Sequence, residues 1–250
     1  PPTKMASSRP IYIFVASSCV LSRLLIYTYP VLSAVLDMIL KPLMMPLLSH
    51  YLQHSSVRDN GHHKLHRITG FFHSGLFAAW IGDLLLLKGS QKVFFLGGLG
   101  SFAVMQWQYI QNYKKFSAPS GKCYLDGRPY LRIPAFLVGA TFYACVYPVL
   151  PPVLRVGILI YTVLLTSMTY ASLSLRGPKS ERARVAAGSH LFMVSDLIIG
   201  VNKFVRPLGY AEVWICGTYV LGQYLIAEGL IGFVQCKKNT EGGDRSKKKK

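Results

Sequence analysis

Apolar runs of membrane-crossing length follow one another along almost the whole chain, separated by short polar or basic stretches. A helix needs about 20 mostly apolar residues to cross a bilayer. Eight such spans are expected, near residues 11–28, 32–53, 68–88, 93–114, 129–149, 152–175, 184–205 and 211–235. None has the period-2 alternation of a membrane barrel, and unpaired peptide groups are costly in hydrocarbon, so each span should be helical. The pattern predicts an all-α integral membrane protein, a bundle of eight transmembrane helices forming a single domain over 11–235. The second span is the least regular, since it contains Asp37, Lys41, Pro42 and Pro46.

The flanks carry their own signals. Pro1-Pro2-Thr3-Lys4 precede Met5-Ala6-Ser7-Ser8, which looks like a natural start behind the remnant of an expression tag, so 1–10 are read as that remnant plus a polar N-terminus. The apolar stretch from Ile11 lacks the small-residue cleavage signature of a secretory signal and reads as a first membrane helix. An even number of spans puts both termini on one side. Lys4, Arg9, Arg58, Lys64, Arg67, Lys114, Lys115, Lys122, Arg128, Arg176, Lys179, Arg182, Arg184 and the basic tail lie there, against Arg23, Lys88, Lys92, Arg155, Lys203 and Arg206 opposite. By the positive-inside rule both termini are cytosolic. The tail, 236–250, is lysine-rich and expected to be disordered. Its closing lysines, with Lys247 and Lys248 in the two required positions, resemble a dilysine retrieval signal of endoplasmic reticulum membrane proteins. A juxtamembrane basic cluster drawn to anionic lipid explains them equally well.

Composition agrees: 51% of residues are hydrophobic and 15% charged, where a soluble domain carries about 25% charged residues. Lys and Arg number 28 against 10 acids, a formal charge of +18. That charge is spread along loops rather than gathered on one recognition face, which argues against nucleic acid and for a membrane surface. Five scattered cysteines without C-x-x-C spacing indicate neither a disulfide scaffold nor a zinc module.

Ionisable groups within apolar spans are expensive and point to function. Asp37 and Lys41 are four apart and could neutralise each other. Glu228 lies near a helix end, where snorkelling or a structural hydrogen bond suffices. Asp83 and Asp196 have no cation one turn away, and at about 1.5 Å per residue they lie roughly 22 Å and 18 Å along outward-running spans, so they can share a cavity if those helices are neighbours. Their other expectation is plain helix glue. Ser189, Asp196 and Lys203 share a face by the helical period. Gln106, Tyr109 and Tyr113 form a polar stripe on the fourth span, and Tyr219 and Gln223 another on the eighth; such groups also serve as packing glue. His190 is expected to bond between helices, and His62, His63 and His66 to be solvated in a loop.

At these residues the chain resembles the YhhN-like membrane family, whose characterised members are lysoplasmalogenases. Trp80-Ile81-Gly82-Asp83-Leu84-Leu85-Leu86 and Phe95-Leu96-Gly97-Gly98-Leu99-Gly100-Ser101-Phe102 through Tyr109 are close to the family's G-D-x-x-L and G-L-x-x-F-x-x-x-H-x-x-Y patterns. Ser195-Asp196 and Asn202-Lys203-Phe204 match its S-D and N-K-F, Thr218-Tyr219 and Gln223 its last span, and Lys41-Pro42 its early Lys-Pro. The similarity runs from about residue 35 to 235. Gln106 stands where the family has His, and Val220 where it usually has a second Tyr. Gln can hydrogen-bond but cannot titrate near neutrality. If the family His moves a proton, this chain should be slow, inactive or altered in chemistry; if that His orients substrate, Gln106 can serve.

The resemblance implies hydrolysis of the vinyl-ether bond of a lysoplasmalogen to a fatty aldehyde and a glycerophospho-base, with a lysophospholipid or related amphiphile as partner and no metal or organic cofactor. Cleavage of O–CH=CH needs a proton at the outer alkene carbon, an anion facing the oxocarbenium and a water, so one neutral and one ionised carboxyl suit it. On the helical-face argument Asp83 is the expected general acid and Asp196, beside Lys203, the carboxylate. Lys41 and Lys203 would hold phosphate; Gln106, Tyr109, Asn202, Tyr219 and Gln223 complete the expected binding set. Two other readings are a diverged enzyme using the same acids on an isoprenoid or epoxide, which Gln106 favours, and a non-catalytic lipid-binding protein.

Overall fold

The computed structural model describes residues 8–56, 62–88, 91–117 and 122–247. It contains α1 (Ser8–Leu24), α2 (Pro30–Ser56), α3 (His62–Leu86), α4 (Lys92–Phe116), α5 (Ile133–Val146), α6 (Pro152–Leu173), α7 (Lys179–Gly200) and α8 (Ala211–Lys247), with no strand among the described residues. Six of these segments are long and apolar enough to cross a membrane: Arg9–Tyr27, Pro30–Gln53, Pro129–Val149, Pro152–Leu173, Lys179–Val205 and Ala211–Cys236. Among the described residues, α4 and the Gly70–Leu86 part of α3 are not among those six. In α4 the physical reason is visible: Gln106 and Asn112 are fully buried, so part of its polarity faces protein.

The surface inverts that of a soluble bundle. Phe14, Val31, Met38, Phe77, Val93, Val153, Val156 and Trp214 are exposed, while Arg23, Asp37, Asp83, Gln106 and Gln223 are buried. An apolar exterior over a polar interior is stable where the solvent is hydrocarbon. The chain is an integral membrane protein.

α8 is the central helix, with 67% of its apolar span buried against 17% for the peripheral segment around α5. It packs against α7, α1 and α2, while α3 pairs with α4 and α6 lies against α4, α5 and α7. The α7–α8 seam is set by small residues. A Cβ on Gly188 would lie 2.6 Å from the Gly222 carbonyl oxygen, and one on Gly222 2.9 Å from the Gly188 oxygen. Because those neighbours are backbone, they cannot rotate away, and the helices must part. Gly222→Val is expected to destabilise the bundle by about 1–3 kcal/mol. The check is thermal unfolding in detergent beside Gly217→Ala, whose added Cβ meets nothing within 4 Å and should leave the midpoint unchanged.

α2 passes through both of its prolines. Pro46 has no N–H for the carbonyl four residues back. That carbonyl belongs to Pro42, and the indole of Trp80 on α3 donates to it at 2.9 Å, so the acceptor is satisfied by tertiary contact. At a loop, Asp126 accepts from the Cys123 backbone N–H at 2.9 Å and pairs with Arg176 at 3.0 Å. The Cys123 backbone bond, its thiol and the guanidinium hold that carboxyl below its ordinary range.

Two expectations about single residues change. Asp37 pairs with Arg23 of α1 at 2.6 Å and accepts from Ser22 at 3.2 Å, instead of relying on Lys41 of its own helix. His190 bonds the Ala186 carbonyl on its own helix at 2.7 Å rather than a neighbouring helix. Glu228 accepts from Tyr51 at 2.6 Å and lies 3.6 Å from Arg9. α8 runs on from Cys236 to Lys247, where composition suggests a disordered tail; a helix already nucleated by its packed part extends at little further cost. Residues 1–7, Arg58 and 248–250, together with the side chains of His62, His63, Lys64, His66 and Arg67, lie outside the described residues.

Candidate functional site

Five helices bring the two buried acids and their partners together. Asp83 of α3 is 4% exposed and accepts a hydrogen bond from Tyr219 of α8 at 2.7 Å. Tyr219 is held by edge and tilted contacts to Phe102 and Phe192, with ring centroids 6.0 and 5.8 Å away, a spacing at which aromatic pairs stabilise one another. One turn further along α8, Gln223 accepts from Tyr109 of α4 at 2.6 Å. Tyr113 and Ser189 share a hydrogen bond at 3.0 Å, so Ser189 is engaged with α4 rather than with Asp196.

Asp196 of α7 is half-buried and accepts from Tyr161 of α6 at 2.5 Å and from the Gln106 amide at 3.4 Å. Among the described residues the buried Gln106 carbonyl oxygen has no hydrogen-bond partner. Asp83 is close enough for its charge to act on Asp196. Lys41 and Arg23 act on Asp83. The cations thus reach Asp83 from α1 and α2, which differs from the one-helix expectation that Lys203 would serve Asp196. Lys203 instead carries its ammonium over the Phe95 ring, 4.4 Å from the centroid.

Two adjoining cavities lie here, one against Asp196 and the other against Lys41 and Lys203. The first, about 50 Å³, exceeds the roughly 10–15 Å³ that one water needs. Asp196 and Tyr161 are polar points in its otherwise mostly apolar wall of residues such as Leu86, Phe95, Phe142 and Phe204. The second, about 240 Å³, is lined by Lys41, Asn202, Lys203 and Glu212 and shares Leu86, Phe95 and Ile199 with the first. Asn202 and Lys203 belong to a π turn, Val201–Val205, that follows α7 and in which Arg206 N–H bonds Val201 O at 3.0 Å. Such turns interrupt the α-helical period and recur at functional sites. Asn202 is partly committed to structure, accepting from the Leu208 N–H at 2.8 Å.

A model of the YhhN family matches residues 36–230. The chain belongs to the YhhN family. Among curated proteins it is similar to the lysoplasmalogenase TMEM86A of Homo sapiens, 31% identical over 162 residues, and to that of Bos taurus, 31% identical over 158 residues. Each alignment covers 61% of this chain and 62% of the relative, so the match spans less than two thirds of those proteins. No solved structure matches the chain.

All nine site residues expected for this YhhN protein fall into linked groups: Asp83 with Tyr219, Tyr109 with Gln223, Gln106 with Asp196, and Lys41, Asn202 and Lys203 around one cavity. Three further residues escaped the sequence argument. Tyr161 was the lone hydroxyl ring at its depth in α6 and could have been singled out as a polar group in an apolar span. Glu212 and Arg23 lie near helix ends, where charge is ordinary, and nothing in the chain marks their 3.3 Å contact.

Proposed function

We propose that this protein hydrolyses the vinyl-ether bond of lysoplasmalogens, releasing a fatty aldehyde and a glycerophospho-base. The observation that carries the reading is the adjacency of the two cavities: an apolar one with a carboxyl in its wall beside one lined by two lysines. An amphiphile with a phosphate head and a reactive group at the start of its chain suits that layout. The family membership and the names of the similar proteins support the same reaction.

Asp196, in mostly apolar surroundings with a carboxyl for its charged neighbour, is the proton donor. It protonates the outer alkene carbon; the π pair forms the new C–H bond and leaves an oxocarbenium. Asp83, within electrostatic reach of Lys41 and Arg23, remains the carboxylate and stabilises that cation through the bundle interior. Water adds to the cationic carbon and returns a proton to Asp196. The hemiacetal then breaks its bond to the glycerol oxygen, which takes up a proton as the hydroxyl gives one up, leaving aldehyde and alcohol. These roles exchange the two acids relative to the helical-face argument, because the cations come from other helices. Tyr161 and Gln106 hold Asp196 in place; Lys41 and Lys203 hold phosphate, Tyr219 holds Asp83, and Tyr109 bonds Gln223 one turn further along α8.

The setting belongs to the same reading: eight spans, both termini cytosolic, and retention in the endoplasmic reticulum through Lys247 and Lys248. Gln106 favours one second reading, an enzyme of the same acid pair acting on an isoprenoid or epoxide, since an amide cannot titrate.

The test is aldehyde release by the purified chain from choline and ethanolamine lysoplasmalogens, with Gln106→His alongside. Release by the parent is expected. A silent parent with an active Gln106→His variant would move the reading to the diverged enzyme, and silence in both would remove vinyl-ether hydrolysis.

A further inference from the structure

The 240 Å³ cavity carries charge of both signs. Lys41 and Lys203 approach from α2 and the π turn, and Glu212 from the first turn of α8. Glu212 is engaged from behind: Arg23 Nη1 bonds its Oε2 at 3.3 Å and Asp37 at 2.6 Å. The Arg23 side chain is 7% exposed and that of Glu212 43%. Glu212 is therefore anchored by a buried cation and still open to the cavity. Two cations, Lys41 and Lys203, and one acid, Glu212, line the cavity, and behind Glu212 the Arg23 guanidinium is shared with Asp37.

That mixture of signs bears on what the cavity accepts. Bringing a net charge into a partly desolvated site is costly unless the site offers the opposite charge in excess. A wall that offers both signs can meet both ends of a zwitterion, its phosphate at the two lysines and its ammonium at the carboxylate.

Resting on the proposed lysoplasmalogen reading, we infer that Glu212 is the head-group specificity residue of this site: it faces the ammonium of a zwitterionic phospho-base whose phosphate lies by Lys41 and Lys203. Arg23 is the positioning residue that keeps Glu212 aimed. A head ending in a bare phosphate monoester leaves Glu212 without a partner and brings surplus negative charge toward it. Like-charge juxtaposition of this kind is how a site rejects a wrong ligand.

The experiment measures binding of two saturated ether lysolipids to the full chain in nanodiscs, one with a phosphoethanolamine head and one with a phosphate monoester. Neither can be hydrolysed at a vinyl ether, so the result is independent of turnover. The parent is expected to favour the ethanolamine ligand by about tenfold, a difference a single partly buried charge contact can supply. Glu212→Gln is expected to bring the ratio close to one, and Glu212→Asp to retain part of it. An unchanged ratio in Glu212→Gln, or equal weakening of both ligands, overturns the assignment and leaves Glu212 as a brace for Arg23. A ligand-side measurement needs no variant: N-acetylation of the ethanolamine, which removes its charge, is expected to weaken binding to the parent about tenfold, and undiminished binding would count against Glu212. If the head-group preference holds while no aldehyde is released from lysoplasmalogen, the reaction falls and the head-group assignment stands.

Discussion

Asp196→Asn is expected to lower aldehyde release from lysoplasmalogen by about 10²–10⁴-fold, the range a positioned general acid supplies. The amide keeps the size of the carboxyl and can still accept from Tyr161, which holds Asp196 at 2.5 Å, so the fold should survive. What the variant lacks is a proton that can be delivered to carbon. The loss should fall in kcat, with binding of a saturated ether lysolipid little altered. Steady-state aldehyde assays together with that binding measurement separate the two. Turnover within a few-fold of the parent would remove Asp196 from the proton-donor role.

Asp83→Asn is expected to cost about 10²–10³-fold in kcat, the size seen when one preorganised electrostatic contact to a developing charge is removed. Here the lost group is the anion facing the oxocarbenium. Tyr219 can still donate to the amide oxygen, and Arg23 keeps Asp37 and Glu212. A double-mutant comparison with Lys41→Met gives the discriminating readout. If Lys41 acts on catalysis partly by keeping Asp83 ionised, the two losses will be less than additive, as for groups in one network. Full additivity would mean that Lys41 serves substrate alone, and an active Asp83→Asn would return the carboxylate role to another group.

The membrane character of this chain was legible from the apolar runs, and so was the polar column inside the bundle. Asp83, Gln106, Tyr109, Tyr219 and Gln223 stood out because a polar group in an apolar span must find a partner or cost several kcal/mol. Their spacing along one helix could not say which partner. Tyr219 met Asp83 across 136 positions of sequence and Tyr109 met Gln223 across 114. Tyr161 and Glu212 were missed for a related reason: a single tyrosine in an apolar helix, or a glutamate at a helix end, is unexceptional until another helix is laid against it. The Asp37–Lys41 spacing misled in the opposite direction, since a pair four apart looked complete while Arg23 stood closer from α1.

Alone, the sequence determined the solvent this protein folds in, the helical state of its spans and the identity of its buried acids, because hydropathy and the cost of unpaired peptide groups act on each span separately. Tertiary structure decided the electrostatics. Whether a carboxyl feels a cation depends on which helices touch, and here α1 and α2 bring Arg23 and Lys41 within electrostatic reach of Asp83, while the π turn after Gly200 ends the α-helical period on which the Asp196–Lys203 alignment relied. The division of labour proposed for the two acids is therefore a property of the assembled bundle, where charges from separate helices act through a low-dielectric interior.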